Sequence, residues 1–171
     1  MALTACRECG KEISTDAFSC PKCGAPRPAR PARTGTGYEW KSQRKIFGIP
    51  LVHVAFGTNA NGKARVAKGI IAIGQMGIGL ITVAQFGIGV LFGVGQFMLG
   101  LTVLAQFAAG LLVGIGQFAS GVIAIGQLVT GIYGLAQSGC AKYMWSSSSA
   151  DMEAVAMFYT IHSKITGLFG F

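Results

Sequence analysis

The sequence predicts an all-β protein: a short β-helix, or solenoid, with a small N-terminal zinc ribbon and a C-terminal amphipathic helix. Three observations carry this. From Gly69 to Ala141 the chain runs without a single Asp, Glu, Lys or Arg. Within that block glutamine returns at Gln75, Gln85, Gln96, Gln106, Gln117, Gln127 and Gln137, at near-constant steps. Two C-x-x-C pairs, Cys6/Cys9 and Cys20/Cys23, precede it. Two glutamine steps make a unit of about 21 residues, and repetition at such a period is the signature of a stacked array. An uncharged surface of this length implies surroundings other than water.

The ribbon, residues 1–26, rests on its cysteines. Each C-x-x-C turns the chain so that backbone amides point at the sulfurs, and Gly10 and Gly24 follow where a positive φ is useful. Four thiolates fill a tetrahedral Zn²⁺ shell and leave no place for a reactive water, so Cys6, Cys9, Cys20 and Cys23 are expected to hold a structural zinc. Ile13, Ala17 and Phe18 are the few apolar residues between the pairs, which leaves metal binding to supply most of the folding free energy. Such a module suits docking of a protein or nucleic-acid partner, or it is a plain folded cap. The paired thiols also indicate a reducing compartment. The first residues lack a basic start followed by an apolar run, so no secretory leader is expected and the N-terminus is placed in the cytosol.

Residues 27–45 form a basic linker. Pro26, Pro28 and Pro31 favour extended chain, while Arg27, Arg30, Arg33, Lys41, Arg44 and Lys45 suit anionic headgroups, with Tyr38 and Trp40 as interfacial aromatics. Residues 1–68 hold 12 of the 14 Lys and Arg. This imbalance could serve nucleic acid, but its apolar neighbour favours a membrane. Residues 46–145 are assigned to the repeat, with Asn61-Gly62 as a hairpin signal in its entry segment. His53 has no acid or cysteine close in sequence and is expected to pack without ligand duty.

Aligned on every second glutamine, Ala72-Ile73-Gly74-Gln75, Gly93-Val94-Gly95-Gln96 and Gly114-Ile115-Gly116-Gln117 superpose. A finer period of five or six is set by Gly or Ala, with apolar and β-branched residues between. Helices fit poorly: 17 glycines fall in the block, each costing close to 1 kcal/mol in a helix. A four-sided coil of about 21 residues fits, with small residues at corners and the glutamines in two ladders. Neither face of a strand is charged, so lipid is the expected surrounding, and a wound backbone meets its hydrogen-bonding needs there except at its ends. The expected height is about 17 Å for three and a half such coils, short of a hydrocarbon core of about 30 Å. Self-association or an axis off the membrane normal would resolve that shortfall.

The quintets, with the lead-in Ile49-Pro50-Leu51-Val52-His53-Val54-Ala55-Phe56-Gly57, resemble a group of uncharacterised bacterial glycine-rich proteins that look like membrane-embedded β-helices, some with an N-terminal zinc ribbon. The resemblance spans about residues 46–140. It implies a fold and an inner-membrane location and transfers no catalytic residue. The block is also loosely similar to pentapeptide-repeat solenoids, without their polar outward positions.

Residues 146–171 are expected to form an amphipathic helix that covers the last coil. Ser148 with Asp151 is its expected cap, and Met152, Val155, Ala156, Tyr159 and Ile165 its apolar stripe. Tyr143 and Trp145 beside Lys142 mark a second interface, and Cys140 is expected to pack as a small hydrophobe. Catalysis is not expected, since the block has no acid, base or nucleophile and His53 and His162 lack evident partners. The expected role is a non-enzymatic, self-associating membrane scaffold or adaptor displaying a cytosolic ribbon. The alternatives are a soluble filament of β-helices and an oligomeric pore.

Overall fold

A computed structural model describes residues 3–29 and 35–169. Arg30 and Arg33 of the expected headgroup-binding set lie outside the described residues. The described residues are mostly strand with a single C-terminal helix, and the chain divides into two compact units: Met1–Gly37 with Gly57–Lys63, and Tyr38–Phe56 with Ala64–Phe171.

In the first unit, β1 (Leu3–Ala5) and β2 (Glu12–Ser14) form an antiparallel hairpin. Ile13 is buried against Cys6, Cys20 and Ala25, whereas Phe18 is 86% exposed. The unit therefore has almost no hydrophobic core. Its second segment is a turn built by Asn59, whose Oδ1 accepts the amides of Asn61 and Lys63 at 3.0 and 3.1 Å.

In the second unit, β3 (Gly37–Lys41), β6 (Val52–Gly57) and β7 (Val66–Trp145) are neighbours in that order. β6 and β7 run parallel, with Val52 opposite Ile71 and Ala55 opposite Gly74. The Asn61-Gly62 turn thus does not close the expected hairpin; parallel partners need a chain that travels round before it pairs. A hairpin lies elsewhere, between β4 (Lys45–Ile46) and β5 (Ile49–Pro50). Its two-residue loop is Phe47-Gly48, with φ of 51° and 80°, and Phe47 is 98% exposed.

β7 is strand over 80 residues, far longer than any straight strand, and its own residues meet one another at a near-fixed separation. The rings of Phe86, Phe97, Phe107 and Phe118 stack in succession, with centroids 6.4, 4.5 and 6.1 Å apart. Tyr133 and Tyr143 stack at 5.2 Å. A Cβ on Gly95, Gly116 or Gly126 would collide with the carbonyl oxygen of Ala84, Ala105 or Gly116 respectively. Each of these pairs is separated in sequence by a single glutamine step, so the expected coil of two steps is twice the repeat that stacks in space. The two halves of the longer motif lie one over the other rather than on opposite sides. The glutamines accordingly share one position in the repeat, where two ladders were expected, and all seven are exposed.

Burial along β7 follows a pentad. Thr82 and Ala84 are buried with Val83 outward between them, and then Gln85 and Phe86 are both outward. Ala72 and Gly74, and Val103 and Ala105, repeat the motif. Side chains alternate along a strand, so two successive outward residues break the alternation, and the buried positions are left mostly to small residues, with Met98 as the largest.

Helix α1 (Met152–Phe169) packs on the end of β7, where Trp145 stacks on Tyr159 at 5.6 Å and meets Phe158 at 6.3 Å. Two expectations change here. The cap is Asp151, whose Oδ1 accepts the Glu153 amide at 3.0 Å, while Ser146 Oγ ties the preceding turn to the amides of Ser148 and Ser149. The buried residues are Ala154 and Phe158, whereas Met152, Tyr159 and Ile165 of the expected stripe face outward. The contact is set by the reach of Trp145, not by the helix's most apolar line. Cys140 is exposed rather than packed.

Candidate metal centre and charged cluster

The four cysteines come together. Their sulfurs all lie within 4.8 Å of one another, with Cys6 to Cys23 at 3.7 Å and Cys9 to Cys20 at 3.6 Å. Two similar knuckles bring this about. In the first, the Gly10 amide donates to the Cys6 carbonyl at 2.9 Å and the Cys6 amide to the Lys11 carbonyl at 2.8 Å; in the second, Gly24 donates to Cys20 at 2.8 Å and Cys20 to Ala25 at 2.9 Å. Gly10 and Gly24 hold φ of 71° and 74°, so each turn closes in the left-handed region that a side chain would strain.

The knuckles also tune the sulfurs. The amides of Cys9 and Glu8 lower the Cys6 thiol, and those of Cys23 and Lys22 hold Cys20 down at about 6. The Ala25 amide pulls Cys23 the same way, but desolvation and the other thiols outweigh it and push it up to about 12. Amides that favour thiolate are what a cation site needs. Cys6 and Cys20 are buried while Cys23 is exposed, so the set can close round one metal ion from an accessible side.

A second cluster escaped sequence reasoning. His53 is 4% exposed, and its Nδ1 accepts the Lys68 backbone amide at 2.7 Å. The same Nδ1 lies 3.1 Å from the Lys68 carbonyl oxygen, and Nε2 lies 3.4 Å from Glu39 Oε1 without a hydrogen bond to it. Glu39 also binds Lys41 at 2.8 Å and pairs with Arg65. Lys41 first, then Arg65, hold its carboxyl down to about 2 against partial burial. Glu39 stands on β3, His53 on β6 and Lys68 on β7, so the neighbouring strands gather residues far apart in sequence. Only the strand order, which a single sequence does not state, would have revealed the group.

The opposite end of β7 carries Lys142, whose Nζ lies 5.0 Å from the Tyr143 ring centroid, followed by Trp145. No helix among the described residues is long and apolar enough to cross a membrane, which leaves strands untouched as a means of crossing. Compared with known proteins, the chain matches no family, no curated protein and no solved structure.

Proposed function

We propose that this protein is a non-enzymatic inner-membrane scaffold: a β-helix that spans the bilayer and displays a cytosolic zinc ribbon for a protein partner. The carrying observation is that stacked positions of β7 are one glutamine step apart in sequence. Read as one turn of a two-sided solenoid, that step divides the uncharged block into about seven turns, a height of about 33 Å at about 4.8 Å per turn. The hydrocarbon core is about 30 Å thick. Halving the coil removes the shortfall of the larger one, and one chain suffices to span.

The ends of the block fit that span. Lys68 and the Glu39 cluster bound it on one side, Lys142, Tyr143 and Trp145 on the other, as charges and amphipathic aromatics do at membrane interfaces. Between them the outward residues are apolar over a wide surface, including Ile78, Phe86, Leu91, Leu99 and Leu111, more than a water-exposed monomer tolerates. A wound backbone leaves unpaired groups only at its ends; β6 pairs with one end and α1 packs on the other. The Phe47 hairpin tip, with Arg44 and Lys45 nearby, is suited to dip into headgroups. A soluble filament is less well supported, because α1 occupies an end that filament growth would need.

Zinc is the proposed metal because four thiolates are its structural donor set. The charged cluster is read as structural, since Lys41 and Arg65 pair with Glu39 and the Lys68 amide bonds His53 across neighbouring strands. The test is flotation on a density gradient after alkaline washing of membranes. Release only by detergent agrees with this function, and sedimentation free of lipid overturns it.

A further inference from the structure

The surface of β7 changes character halfway along the block. Three residues after successive glutamines stand Ile78, Ile88 and Leu99, then Ala109, Ser120, Thr130 and Cys140. The first three are large and exposed; the last four are smaller, and three of them carry a hydroxyl or a thiol. One residue after the glutamines, Phe107, Phe118 and Leu128 keep their bulk over the same steps. Between the two rows lies an open groove of about 320 Å³, with Phe107, Phe118 and Leu128 on one side and Ser120, Thr130 and Cys140 on the other. Each row repeats at one glutamine step, and the Phe107 and Phe118 rings stack at 6.1 Å, so the groove runs along the stack. Its last residue, Cys140, stands two places before Lys142, the charge that ends the block.

A largely apolar cleft of this size with a few polar groups is what a ligand site presents. Among the described residues Thr130 Oγ1 has no hydrogen-bond partner, whereas the buried Thr82 donates to the Ile88 carbonyl at 2.8 Å. A hydroxyl kept from water without a partner costs free energy, so an occupant that brings an acceptor to Thr130 is favoured over one that does not. No Lys, Arg, Asp or Glu lines the groove, so that acceptor is neutral and a headgroup phosphate is not the anchor.

We propose that the groove holds one acyl chain of a glycerolipid from the leaflet next to Lys142, with an ester oxygen accepting from Thr130. The proposal rests on the membrane-spanning reading above. A stack along the membrane normal lays the groove parallel to the acyl chains. Thr130 lies one glutamine step, about 5 Å, inward of Cys140, within reach of the ester groups of that leaflet. From there the chain runs inward past Ser120 along Phe118 and Phe107. In the other half of the block Ile78, Ile88 and Leu99 fill the same row, so the site is confined to one leaflet.

The test is native mass spectrometry of the full-length, zinc-loaded protein, reconstituted in dioleoylphosphatidylcholine vesicles and extracted into mild detergent. The expected result is one phosphatidylcholine retained per chain through detergent washing. Ser120→Leu, which copies Leu99 of the same row, is expected to abolish retention. Thr130→Val, which keeps the shape and removes the hydroxyl, is expected to shorten retention about fivefold. No lipid on the unsubstituted protein, undiminished retention by either variant, or a molecule other than a glycerolipid held in its place overturns the proposal. Flotation of the same vesicles reports separately on the spanning reading, so a floating protein without retained lipid condemns the groove alone.

Discussion

The ribbon and the repeat are ordered by opposite means. In the ribbon four cysteine sulfurs converge on one point, and the few apolar residues around them bury little: Ile13 is covered, Phe18 is not. In β7 no single side chain dominates, because the same short pattern recurs and residues one glutamine step apart stack on one another. Order concentrated at one centre is lost all at once, whereas distributed order yields only to changes that the backbone spacing forbids or the surroundings reject.

Removing the metal should break this comparison most sharply. Chelation, or Cys20→Ser, is expected to unfold the ribbon while leaving the strand signal of β7 in circular dichroism, since a four-thiolate zinc contributes roughly 10–16 kcal/mol. Loss of both signals together would show that the two regions do not fold by separate means. Within the repeat, Gly116→Val places atoms onto the Ala105 carbonyl one glutamine step away. Overpacking of this kind costs about 1–3 kcal/mol or more, read as a lower midpoint of thermal unfolding in detergent. Leu112→Arg, outward and sterically harmless, is expected to cost about 2–4 kcal/mol on a lipid-facing strand near the midplane, seen as protein lost from the floating fraction. Gly116→Val acts on the fold and Leu112→Arg on the surroundings.

Smaller effects lie at the ends. Asp151→Ala removes the cap of α1 and is expected to cost about 1 kcal/mol, measured as faster amide exchange in the first turn. Glu39 is lowered from 4.5 to about 2, so its contribution is present in full above the ordinary value and fades as pH falls from about 4.5 through 2. Glu39→Gln should abolish that acid-dependent loosening of the strands around His53, followed by exchange of their amides.

Much of this was legible in the sequence, for reasons that differ by region. Cysteine spacing names a cluster directly, because C-x-x-C dictates local geometry before anything else folds. The repeat was legible as a period but not as a coil: small residues at every fifth or sixth place are compatible with two sides or four. What decides the stacking distance is that Phe86 meets Phe97 and Phe97 meets Phe107, contacts across one glutamine step that the period alone does not express. The Phe47-Gly48 hairpin was missed because its first loop residue takes a positive φ that Asn or Gly usually supplies. The Glu39 and His53 pair was missed because only the order of β3, β6 and β7 joins them.

The central claim is that one chain crosses the bilayer in turns one glutamine step long, with the stack along the membrane normal. Spin labels placed singly at Leu80, Leu91, Leu112 and Ile132, all exposed, measure it through accessibility to oxygen and to a water-soluble nickel complex. The account predicts one smooth depth profile, most oxygen-exposed at Leu91 and Leu112 and shallower at Leu80 and Ile132. Equal depth at all four positions, or nickel access throughout, would contradict it.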